Sequence, residues 1–470
     1  MALGHRGRMV SLVGWVLSAA LALSACGSGG PGKGAGAQNS AGAKPPSKTL
    51  VWLVPTDPLL DPWATKIAAP MFEQSHPGVQ IQVINSPHNN QKLLALEAAG
   101  TPPDVFTDWN STNFSQMYAQ NALLNLSPEL KAANIDLSAV LPSVMAHYTV
   151  NGNVFAVPWL ANELIIAYNA TLFQKYKVPL PPSSWSDTSW TTSQLQSDAM
   201  ALTHGRSNAA TTVWGVVMGP ARSLPWLWGG DFFNPTGGPS QSTAYQTRQI
   251  TQLDMTNPRV VAAIQWYVDL INRYHINPPT QDIAALSTLG APITSGKVAM
   301  DQLAANAMVR NATADKLPFQ WGMAPMPYGP GNRDTGWVNE NAWMVSAKTA
   351  HPKTAAEFVA FLATLPGDKS PAVYGFLGPT KSSFETWSAH ARSLPGFDMP
   401  KGALTAVVWD GLKRKLIYNP GGSFNNSAEL DTAWTQLMEP VYVGKESVLS
   451  GLQQVQPKYA QIAGCGACKG

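Results

Sequence analysis

Three short stretches of the chain set flat aromatic rings beside carboxylates or amides in turn-forming sequence. Asp108 and Trp109 lie between Thr107 and Asn110, directly after the apolar pair Val105-Phe106. Trp226, Trp228 and Asp231 share residues 224–231 with Pro225, Gly229 and Gly230. Trp337, Asn339, Glu340 and Asn341 precede the apolar stretch 342–345. An exposed indole among Gly and Pro is unfavourable unless something covers it. A sugar ring has the matching chemistry, with an apolar C–H face for the indole of Trp226 or Trp228 and hydroxyls for Asp231. Structural alternatives stand beside these readings. Asp108 next to a packed Trp109 serves equally as a helix N-cap, and Trp226 and Trp228 serve equally as wedges between helices.

The chemistry on offer is recognition rather than bond breaking. A glycosidase needs two carboxyls at a fixed separation, one with a raised pKa. A nucleophilic hydrolase needs Ser or Cys within reach of a His and an acid. The eight histidines fall in no nucleophile or metal motif, and neither GxSxG nor HExxH occurs. No catalytic residue, metal site or cofactor is therefore expected. Glu163 and Asp231 pair only formally.

Composition narrows the class further. Seventeen tryptophans exceed what core filling asks for, and 45% hydrophobic residues in a chain of 470 suggest more than one core. A net charge of +3 with 13% charged residues, the basic ones scattered, offers no footprint for nucleic acid. Of three cysteines, Cys465 and Cys468 form a CxxC near the end, either a small disulfide loop or half of a metal site. No nearby residue completes four ligands, so a bland tail is favoured.

The elements that must carry these residues read as α/β. Residues 49–54 and 79–84 are strands around a helix at 62–74, and a helix at 91–99 leads to a third strand beginning at Asp104. In open parallel sheets the ligand crevice lies beyond the carboxyl ends of the strands, which is where Asp108 and Trp109 fall. Further helices are expected from about 190 to 204, 257 to 274 and 354 to 365, with a strand at 213–218. Asn425 and Asn426 occupy a Gly-rich loop that either reaches a cleft or caps a helix.

At the other end, His5, Arg6 and Arg8 precede an apolar run from Met9 to Leu23, a signal-peptide pattern too short for a comfortable bilayer span. Leu23-Ser24-Ala25-Cys26 resembles the lipobox of bacterial lipoproteins, which implies acylation of Cys26 and anchoring to the cell membrane on its outer side. Residues 27–48 are almost entirely Gly, Ala, Ser, Pro and Lys, a flexible tether. The GxxxxGK spacing from Gly27 to Lys33 is dismissed as a phosphate loop, since Gly34 replaces the required Ser or Thr and no strand precedes it.

Several segments carry a family resemblance in order. Residues 72–79 (FEQSHPGV) and 98–106 (AAGTPPDVF), then 148–158 (YTVNGNVFAVP) with Glu163 and Ala167-Tyr168-Asn169, then 295–300 (SGKVAM) and 321–327 (WGMAPMP), resemble the extracellular solute-binding proteins of ABC importers. The similarity is to the carbohydrate-binding group related to maltose-binding protein. It implies a two-lobed periplasmic-binding-protein fold, type II-like, with three interlobe crossings. Residues 49–159 with 336–378 would form one lobe and 160–335 with 379–470 the other. By the same resemblance Trp159, beside the first crossing, is a further candidate ligand contact, residues 335–346 form the return crossing, and 378–380 the third. A monomer would capture a carbohydrate and pass it to permease subunits served by a cytoplasmic ATPase. A phosphorylated polyol is the alternative ligand, kept open by Arg222, and a surface glycoside hydrolase is a more distant one.

Overall fold

The computed structural model describes residues 48–87, 89–107, 113–206, 211–219, 222–239, 242–287, 290–331, 338–414, 422–466 and 468, with 338 and 339 described as backbone alone. Cys26, Asp108, Trp109 and Trp337 lie outside the described residues, as does the side chain of Asn339.

The strands are β1 (Lys48–Pro55), β2 (Val79–Ser86), β3 (Val105–Phe106), β4 (Thr149–Val150), β5 (Asn153–Val154), β6 (Ala156–Asn169), β7 (Trp214–Val217), β8 (Val298–Ala304), β9 (Trp321–Pro325) and β10 (Val338–Val345). β1 lies between β2 and β3, parallel to both, as expected where helices connect successive strands. One mixed sheet runs β2-β1-β3-β10-β6-β8-β7, with β9 also paired to β6. Among the described residues β4 and β5 make a separate hairpin, turned by Asn151 and Gly152 at φ of 51° and 77°. Asn-Gly supplies the two left-handed residues that a tight hairpin requires.

β6 organises the sheet. All fourteen of its residues are buried. Its first part, from Ala156 to Glu163, pairs antiparallel with β10, and its second part, from Leu164 to Asn169, pairs with β8 and β9. The core changes with the partner. Leu50, Trp52, Val157, Trp159, Trp343 and Phe358 belong to a cluster built on β1 and the helix Pro352–Thr364. Leu164, Ile166, Tyr168, Trp226, Ile264 and Leu452 belong to another, built on the helices Pro258–Asn272 and Val448–Ile462.

The first helix is longer than the pattern predicted. It runs continuously from Leu60 to Ser75, with a π-helical turn at Ala64–Ala68 between two α segments. Pro70 supplies the reason: it has no N–H for the preceding turn, and its ring crowds the carbonyl four residues earlier, so a widened turn just before it keeps the helix unbroken.

Candidate functional site

Polar side chains gather where β6 passes from one set of partners to the other. Asn162 and Glu163 follow Trp159, Leu160 and Ala161 on β6, and Glu340 and Asn341 face Ala161 and Leu160 from β10, beside a bulge between Asn341 and Ala342. All four polar residues are buried. Burying such groups in a sheet interior is unfavourable unless they are satisfied, so their concentration at one level marks a place built for more than packing.

Their partners come from several elements. Asn162 Oδ1 accepts from the backbone N–H of Asn306, 3.1 Å away at the start of the helix Ala305–Asp315, while its Nδ2 has no partner. Glu163 Oε2 is likewise unpartnered. A β-carbon on Gly411 would stand 1.9 Å from that oxygen, so glycine there makes room for the carboxyl. Burial raises the Glu163 pKa to about 8, opposed by the charge of Arg414. Glu340 lies 3.3 Å from His147 Nδ1. Burial pushes the Glu340 carboxyl up against the charge of Arg248, and burial together with that charge pushes the His147 imidazole down, so both are held toward their neutral forms.

The ends of the first-half strands point to the same level. Beyond β1, Asp57 Oδ1 accepts from the N–H groups of Leu59 and Leu60, and Oδ2 pairs with Arg310. Beyond β3, Thr107 accepts from Trp159 Nε1 at 3.2 Å through its hydroxyl and from Asn89 through its carbonyl. Indoles, amides, hydroxyls and carboxyls held toward neutrality suit the recognition of a polar, uncharged ligand.

The residues singled out from sequence do not form one wall. Trp159 is buried and stacks on Trp343, ring centroids 5.1 Å apart at 18°, so its face is occupied by another indole. Trp226 is fully buried and donates from Nε1 to Asp231 at 3.0 Å. Asp231 also accepts from the Tyr245 hydroxyl at 2.8 Å, and burial raises its pKa to about 6. These two residues form an internal hydrogen-bonded pair in the core, which corrects the expectation of an exposed cleft wall: an apolar pocket walled by helices satisfies an indole as well as a sugar does. Of Trp226, Trp228 and Asp231, Trp228 is the one that is half-buried. It leans on Trp266 at 5.4 Å and lines a cavity of about 430 Å³ with Arg259, Pro330 and Gly331. Asn341 lies at the β6–β10 seam, and the backbone of Asn339 faces Asn162.

The profile of the bacterial extracellular solute-binding proteins matches residues 56–369, about two thirds of the sequence. The chain belongs to that family. A relative described as a probable ABC transporter-binding protein, from Deinococcus radiodurans, is 23% identical over 427 residues, covering 86% of this chain and 90% of its own. Among solved structures, the ABC substrate-binding protein Lmo0181 of Listeria monocytogenes, in complex with cycloalternan, superposes with a TM-score of 0.71 at 17% identity, covering 89% of this chain and 99% of that one. Maltose-bound MalE3 of T. maritima gives 0.64 at 19% identity, with 87% and 98% covered. The mixed α/β architecture of this solute-binding protein is thus that of the two-lobed binding proteins.

Sequence reasoning missed the arginines that join distant parts of the solute-binding protein. Arg248 and Arg310 sit in otherwise unremarkable stretches, and nothing in their spacing signals a partner more than a hundred residues away. Arg222, by contrast, was singled out as a possible phosphate ligand. It is buried and ion-paired with Asp431, so its charge is already met. The Cys465–Cys468 pair, left open from sequence, is a disulfide. Among the described residues no group of three His, Cys, Asp or Glu is placed to hold a metal, and no helix is long and apolar enough to cross a membrane.

Proposed function

We propose that this protein captures a sugar or short oligosaccharide between two closing lobes and hands it to a membrane permease driven by a cytoplasmic ATPase. The observation that carries the reading is β6, one buried strand that changes sheet partners and core clusters along its length, with unpartnered Asn162 and Glu163 groups where the partners change. A strand of this kind can act as a hinge, and ligand touching both lobes favours the closed form. The clusters around Trp52 and Trp226 support the division into residues 49–159 with 336–378 and 160–335 with 379–470, while a third, around Ile165 and Trp321, also takes in Val144, Ala372 and Leu377. Four of the solved relatives are described with cycloalternan, maltose, mannotriose or acarbose, all carbohydrates. A phosphorylated polyol is less well supported, because Arg222 has Asp431 as its counter-ion. Trp228, Asn339 and Asn341, with Asp108, Trp109 and Trp337, are the proposed ligand contacts. Cys26 is the proposed lipid anchor, holding a monomer outside the membrane without catalytic activity.

The test is thermal melting and Trp fluorescence across mono- and oligosaccharides, polyols, glycerol phosphates and amino acids. A ligand at a hundred times its Kd, bound only by the folded state, adds about 2.7 kcal/mol. A shift with a sugar, and no product, supports the reading. A shift with a phosphate or amine alone overturns the ligand class, and turnover of a glycoside overturns the function.

A further inference from the structure

A second polar group joins the two halves beside the β6–β10 seam, next to the His147–Glu340 pair. Arg248 Nη1 donates to Ser115 Oγ at 2.8 Å, its Nη2 donates to the carbonyl of His147, and its guanidinium carbon lies 4.6 Å from the centroid of the Phe114 ring. Ser115 Oγ in turn donates to the carbonyl of Gly422 at 2.8 Å. Phe114 packs with Leu53, Phe106, Tyr148 and Met344, so this end belongs to the β1–β3 side. Arg248 follows the helix Thr243–Thr247, whose Tyr245 packs with Ile250 and Phe424 in the core of the other side. Two chain segments of one half, at 248 and 422, therefore converge on one serine of the other.

The contact is buried, and Arg248 also lines a cavity of about 520 Å³ with Thr251, Phe424 and Cys465. Arg248 adopts a left-handed backbone at φ 61°, and the disulfide sulfurs of Cys465 and Cys468 lie 3.5 and 4.0 Å from the carbonyl oxygens of Thr251 and Ile250. Arg248, Ser115 and His147 are all buried. A guanidinium that loses water on docking and regains it on release gives a contact whose gross strength is large and whose net stabilisation is modest. That balance suits a latch that a ligand must be able to tip.

We propose that Arg248 is a positioning residue for ligand capture: it latches the halves together by engaging Ser115 and His147, and so slows ligand release without touching the ligand. The proposal rests on the reading of two halves that close, and is independent of which sugar is bound.

The experiment compares the wild-type protein with Arg248→Ala and Arg248→Lys, without added ligand, by hydrogen exchange and small-angle scattering. In Arg248→Ala, amides of 114–119 and 146–148 are expected to exchange at least about tenfold faster, the effect of losing one charge-assisted hydrogen bond. The radius of gyration is expected to rise, while exchange in β1 and β6 stays slow. Lysine, which keeps the charge and can still reach one partner, is expected to give an intermediate result. Unchanged exchange and radius in Arg248→Ala would overturn the latch, as would uniformly faster exchange that includes β1 and β6, the mark of a merely structural role. Failure of every sugar to bind the wild type overturns the ligand reading and leaves these outcomes as informative as before.

Discussion

The indole Nε1 of Trp226 donates to the carboxylate of Asp231 across 3.0 Å, with neither side chain open to solvent. The pair looks from sequence like a sugar-binding edge and is in fact a core contact. Trp226→Ala is therefore expected to destabilise the protein by about 3–5 kcal/mol through cavity formation. It also strips Asp231 of a donor. Denaturant unfolding checks this, and a variant of unchanged stability with weakened sugar binding would reverse the assignment.

Trp228 behaves differently, because it is half-buried and lines an open cavity. Trp228→Ala should weaken binding of the sugar found by melting more than about tenfold, roughly 1.4 kcal/mol, with little change in the stability of the ligand-free protein. Equal losses of affinity and stability would make it another core residue.

Glu163 predicts a pH dependence. Its folded pKa of about 8 stands above the ordinary 4.5, so the folded chain holds a proton that the unfolded chain releases. The stability it contributes is complete below the unfolded value and is lost as pH rises through the folded one. Glu163→Gln mimics the protonated acid and removes this loss. The variant should melt near the wild type in mild acid and increasingly above it as pH rises toward about 8. Asp231 and Asp301, raised to about 6 and about 7, impose the same trend on both proteins and cancel in the difference. Parallel melting curves would show that Glu163 is not the linked group.

Reduction of Cys465–Cys468 should have a small, local effect. The bridge spans a sequence separation of three, and a loop so short restricts the unfolded chain by only roughly 2 kcal/mol. Dithiothreitol is expected to speed exchange in residues 463–468 and 250–251 and leave unfolding cooperative. Loss of cooperative folding on reduction would give the bridge a global role.

Much of the architecture was legible because it rests on local rules. Apolar runs and turn residues marked β1 and β2 to within two residues at either end, and Asn257-Pro258 marked the start of a long amphipathic helix. The site was far less legible. Tryptophan in Gly- and Pro-rich sequence carries the same local signal whether a ligand or a neighbouring helix covers it, and the structure chose the helix for Trp226 and another tryptophan for Trp159.

The sequence alone determined the class of element along most of the chain, the family, and the absence of a recognisable catalytic motif, since each depends on residue types at short spacing. Only the tertiary structure decided which polar groups share the β6–β10 seam, which carboxyls are pushed toward neutrality, and that Arg248 and Arg310 tie together residues far apart in sequence. Those outcomes depend on burial and on partners brought close by folding, and neither is a property of any one segment.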